Sequence, residues 1–206
     1  MKHASDSIRR SAVEIERLRG RVHELVVFRS RSPADRDAWA AACAQFHKAF
    51  EELSFPGGNA QWQGFVEGEA ASFEVAVAFV EVDPQFFRSG YMKQYIWNRL
   101  KRASLTTDQE RRLEDLALQY LSKPIRREFW HMVRYVRIRG SESFWKTISM
   151  LAAGSDVSLS TRAQWLMLAR KNFPVRNWVG RELLRAKYQA GHVPNFRFAE
   201  YERHAA

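Results

Sequence analysis

Apolar residues recur along most of this chain at steps of three and four, the spacing that gathers them on one face of an α-helix. Between Ser5 and Arg29, Ile8, Ile15 and Val22 fall seven positions apart with Leu18 and Leu25 between them. So narrow a stripe needs a partner helix. Ser30-Arg31-Ser32-Pro33 breaks the pattern, with Ser32 placed to cap the next helix and Pro33 to open it. Trp39, Cys43, Phe46, Phe50 and Leu53 then line one face as far as Phe55. The prediction is an N-terminal helical hairpin over residues 1–55, too short for an extended coiled coil.

Pro56-Gly57-Gly58-Asn59 is the strongest punctuation in the chain and marks the boundary with a second region, 59–206. From Ala60 to Val82, Phe73, Val75, Val77 and Phe79 alternate like a strand. The alanines at 70, 71, 76 and 78 and the glutamates at 67, 69 and 74 favour a helix, which is the reading adopted. Asp83-Pro84 reads as the cap and first-turn proline of a helix to Ala103, with an irregularity at Gly90. Thr106 or Thr107 caps a helix through Leu121, with Glu110 placed for a capping box, and Pro124 opens the next, which ends near Gly140. Ser141 and Glu142 begin a helix that stops at Gly154, and Ser158 or Ser160 opens one through Asn172. Pro174 precedes a last long helix, Val175 to Ala190. The tail reads as a strap anchored by Phe196, Phe198 and Tyr201.

These elements have a period. Trp97, Trp130 and Trp165 are separated by 33 and 35 residues, and the helices that follow them begin near Thr106, Ser141 and Val175. A shift of 33 superimposes Met92 on Ile125, Lys93 on Arg126, Ile96 on Phe129, Trp97 on Trp130, Leu100 on Val133 and Lys101 on Arg134. The third copy keeps Trp165 but flanks it with Thr161 and Ala169. The expected fold is therefore all-α: the hairpin followed by stacked antiparallel helical hairpins, an irregular α-solenoid of the HEAT or TPR type within one compact unit. A closed helical bundle is the alternative, since short loops alone give nearly this spacing. The consensus of TPR units is absent, and the repeat identifies no family.

Composition changes the picture mainly through charge. With 46% hydrophobic residues among 206, the chain can repay the entropy of ordering its backbone. Its net charge of +10 is uneven: residues 1–87 hold 10 Lys and Arg against 13 Asp and Glu, and residues 88–206 hold 23 against 10. A net of −3 thus gives way to +13, which favours a polyanion as partner. Apolar runs all fall short of a bilayer, and Met1 to Ile8 lacks the apolar core of a signal peptide, so neither membrane nor secretion is expected. A single cysteine, Cys43, excludes an intramolecular disulfide or a thiolate zinc cage and fits the reducing cytoplasm.

Two basic and aromatic stripes follow from the repeat, because residues four apart are neighbours on a helix. Lys93, Trp97 and Lys101 form one; Arg126, Trp130 and Arg134 form the other, with Arg127 and Arg137 adjoining. Arg170, Lys171, Arg181 and Arg185 extend the basic surface toward the C-terminus. Cations neutralise phosphates and an exposed indole stacks on a base. Tryptophans in equivalent repeat slots also fill the seam between helices. Catalytic patterns are wanting: the six histidines lack metal-ligating spacing, Cys43 lies on an apolar helix face with His47 one turn away, and Gly57-Gly58 lacks the strand and lysine of a phosphate-binding loop. No catalytic residue, metal or cofactor is assigned. The function expected is non-catalytic nucleic-acid binding, DNA or RNA. The alternative is an adaptor for an acidic or helical protein, including a helix-mediated oligomer through the N-terminal hairpin; an enzyme acting on nucleic acid stands third.

Overall fold

Helices α1 (Lys2–Val26) and α2 (Pro33–Leu53) form the N-terminal hairpin that their apolar stripes require. Ser32 caps α2 by accepting from the Asp35 backbone N–H, with Pro33 in the first turn. Ile8, Ile15 and Leu18 are buried and Val22 and Leu25 half-buried, with α1 packed on both α2 and α4 (Ala70–Val82). The computed structural model describes residues 2–174 together with 176 and 177. Nine helices and no strand occur among them, so the fold is all-α. The helix read over 175–190, the tail strap, and Arg181 and Arg185 lie outside the described residues.

The chain divides into two units, 1–144 and 145–206. In the first, the sequence reading of a single helix from Ala60 to Val82 is corrected to two, α3 (Gly58–Glu67) and α4. Gly68 separates them at φ 95°, a left-handed conformation that costs a residue without a Cβ little. Helix α4 is apolar on most sides and forms the centre of the unit, burying Phe73, Ala76, Val77, Phe79 and Val80. Around it pack α1, α3, α5 (Ser89–Leu100) and α6 (Thr107–Tyr120).

Asp83 closes α4 as a left-handed C-cap at φ 52° and does not open α5, which starts five residues later than Pro84 suggested. Aspartate tolerates this conformation better than most side chains. Thr106 caps α6 as expected, but the reciprocal bond of the capping box comes from Gln109 and not Glu110. Glu110 instead pairs with Arg139. Pro124 and Arg126 remain in the link after α6, and α7 (Phe129–Arg139) begins only after Glu128. The residue before a proline is driven away from helical geometry, so α6 does not run on through Pro124.

Helices α5 and α7 lie side by side and point the same way. Their starts meet where Arg127 stacks 3.9 Å over Tyr91 and Lys93 pairs with Glu128, while Lys101 at the end of α5 feels the charges of Arg134 and Arg137 on α7. Arg112 of α6 ties that helix to α4, reaching both Glu81 and Glu74 at 2.6 Å.

Helix α8 (Glu142–Ala152) spans the division between units. Within the second unit it turns back into α9 (Val157–Arg170), capped by Asp156 and not by Ser158 or Ser160. Ser160 instead donates to the Ala152 carbonyl at 2.6 Å, and Arg170 lies 4.9 Å over the Trp145 ring, which fixes the antiparallel pair at both ends. No helix of the described residues is long and apolar enough to cross a membrane.

Candidate functional site

The two basic stripes read from the sequence behave differently in the fold. Lys93 has no exposed side-chain surface: its ammonium lies 2.6 Å from Asp83 Oδ1 and 3.1 Å from Glu128 Oε1. Trp97 is equally enclosed, its ring 5.1 Å from Tyr135 and 6.2 Å from Tyr120. Lys93 is corrected from a surface position to core, and Trp97 takes the packing between helices that its repeat slot also allowed, because the inner face of α5 is the one that α7 covers. Arg126, at the slot equivalent to Lys93, is exposed because the chain there is not helical. Trp130 is half-buried against Phe129, with ring centroids 5.1 Å apart.

What remains of the first stripe joins what remains of the second at the C-terminal ends of the two parallel helices. Lys101 is half-buried, and Arg102, Arg134 and Arg137 are exposed around it. Burial, followed by repulsion from Arg102, Arg134 and Arg137, holds the Lys101 ammonium below the ordinary lysine value. Every one of these influences disfavours its charge, and its hydrogen bond goes to a neutral group, Asn98 Oδ1 at 3.3 Å. Helix carbonyls at the ends of α5 and α7 offset part of the repulsion, at about 0.3–1 kcal/mol for each cation near a terminus.

Arg102 also lines a groove of about 650 Å³ with Gly68, Tyr95, Asn98, Arg99 and Ser104. Tyr95, 40% exposed, lines the groove as well, with its ring 5.4 Å from that of Trp62. Arg99 and Arg102 were absent from the sequence-derived site because they fall off the stripe that contains Trp97. The run Arg99-Leu100-Lys101-Arg102 at a helix end was the available signal.

The other cations lie elsewhere. Arg126 and Arg127 belong to the opposite, N-terminal end of the α5–α7 pair, where Arg127 is engaged with Tyr91. Arg170 and Lys171 are exposed at the end of α9 in the second unit. Among the described residues, no group of three or more His, Cys, Asp or Glu side chains could hold a metal ion. Cys43 is half-buried on α2. Compared with family models, curated proteins and solved structures, the chain matches none.

Proposed function

We propose that this protein is a non-catalytic nucleic-acid-binding module whose principal contact is the phosphate backbone at Lys101, Arg102, Arg134 and Arg137. The observation that carries the reading is that exposed Arg102, Arg134 and Arg137 lie near enough to half-buried Lys101 for their charges, after burial, to hold its ammonium below the ordinary lysine value. Folding has gathered these cations at an electrostatic cost that a row of phosphates would relieve. The adjoining groove, with Arg99 and the Tyr95 ring, supplies a surface on which a single-stranded base can stack. A cytoplasmic location goes with this reading, on the strength of one cysteine in 206 residues.

Fluorescence anisotropy of labelled single-stranded and duplex DNA and RNA, titrated with the full-length protein and with an acidic peptide as control, tests this reading. Four neutralised phosphates predict that log K falls with log salt at a slope of about −3 to −4. Charge reversal at Arg102, Arg134 and Arg137 is expected to remove binding, and reversal at Arg126 and Arg127 to leave most of it. Preference for the acidic peptide, with weak binding to every nucleic acid at low salt, would replace this reading with a protein adaptor.

A further inference from the structure

We infer that a second site, at the start of α7, receives a single phosphate group through the Tyr120 hydroxyl, Lys123 and Arg126. The cavity there has a volume of about 90 Å³, and Asp83, Tyr120, Lys123, Arg126, Glu128 and Phe129 are among its walls. One water needs roughly 10–15 Å³ by such a measure, so the space suits a group of a few heavy atoms.

Its polar walls are incompletely satisfied in a way that specifies the ligand. The two carboxylates are committed: Asp83 to Lys93 at 2.6 Å and Lys123 at 3.2 Å, and Glu128 to Lys93 at 3.1 Å. Lys93, Lys123 and Arg126 against Asp83 and Glu128 leave one positive charge in excess. Arg126 is exposed and has no ion-pair partner among the described residues. Tyr120 is 5% exposed, and its hydroxyl proton meets no acceptor among the described residues. The buried Trp97 Nε1 lies against the same phenol from the core, but an indole N–H only donates and leaves that proton unmatched. Burial, with the nearby charges of Asp83 and Glu128, raises the phenol far above neutrality, so Tyr120 arrives as a proton donor.

A buried donor without an acceptor is uncommon in a folded protein and calls for one. A phosphate oxygen provides it, and the remaining oxygens meet the cations of Lys123 and Arg126 in charge-assisted bonds. Tetrahedrally disposed oxygens suit donors that approach from α6 and from the link after it. The site shares no residue with the four-cation cluster, so its failure would leave the nucleic-acid reading untouched.

Isothermal calorimetry with inorganic phosphate tests the site, using the full-length protein in phosphate-free buffer at constant ionic strength, with acetate and chloride as separate arms. The expected result is saturable phosphate binding that weakens at least about tenfold in Tyr120→Phe and in Arg126→Ala. Arg134→Ala combined with Arg137→Ala is expected to bind phosphate as wild type does. Tyr120→Phe removes only the unpartnered hydroxyl, so without phosphate it is expected to melt at or above the wild-type temperature, which separates lost binding from lost folding. Absence of saturable phosphate binding, equal binding of acetate, or indifference to Tyr120→Phe would overturn the proposal.

Discussion

Two residues with the same role in the sequence pattern, Lys93 and Lys101, stand eight positions apart and meet opposite fates. Lys93 is sealed between two carboxylates, and Lys101 is crowded by cations. Their substitutions should separate accordingly. Lys93→Met leaves the buried Glu128 without its counter-ion, and Asp83 with Lys123 alone, and is expected to cost about 3–5 kcal/mol in a urea melt. Trp97→Ala empties a fully enclosed site and is expected to cost about 3–5 kcal/mol as well, with loss of binding no greater than the loss of folded protein. Arg134→Glu with Arg137→Glu, both exposed, should leave the circular dichroism spectrum and melting temperature near wild type while nucleic-acid binding falls. Binding that survives this double reversal places the interface elsewhere.

At the scale of the element, short-range chemistry sets the helix ends and packing sets the faces. The capping box of Thr106 and Gln109 satisfies two backbone donors at once, so Thr106→Ala is expected to lower stability by about 1 kcal/mol without changing the fold. Gly68 is required twice over, since its φ of 95° turns α3 into α4 and a Cβ there would lie 3.1 Å from Arg99 Nη2. Gly68→Ala should therefore destabilise by about 1 kcal/mol and displace the Arg99 guanidinium from the groove. Thermal unfolding checks the first effect; reduced single-strand affinity relative to duplex affinity checks the second. The expected helical hairpin at the N-terminus formed as read, because its stripes leave each helix dependent on the other. The break at Gly68 was missed inside one long apolar pattern, and Asp83, Pro124 and the caps at Glu110 and Ser158 or Ser160 were misplaced by a few residues around a turn.

For the whole molecule, charge is the property with the farthest reach. A chain whose first 87 residues carry −3 and whose remainder carries +13 should approach a polyanion with one part leading, and its association rate should fall steeply with salt. Lys101 adds a dependence on pH. Its folded value lies below the unfolded one of about 10.4, so between the two the unfolded chain holds more of the proton and this group's contribution to stability rises with pH. Binding runs the other way, since phosphate restores the charged form. Affinity for nucleic acid should weaken as pH climbs toward the folded value, with proton uptake on binding measurable by calorimetry in buffers of different ionisation enthalpy.

Fold class, the N-terminal hairpin, the cap at Thr106 and the basic bias after residue 87 were legible in the residues alone, because periodicity, capping and net charge are local or additive properties. Which cations stand together was not. The stripe Lys93, Trp97 and Lys101 is one face by spacing, but α7 lies along part of it, so the first two become core and only the third reaches the cluster. Arg102 joins Arg134 and Arg137 across 32 positions of sequence because α5 and α7 run parallel and end together. The same packing brings Tyr120, Lys123 and Arg126 to one cavity beside a buried lysine and its two carboxylates. Helical spacing assigns a residue to a face; only the neighbouring helix decides whether that face meets water.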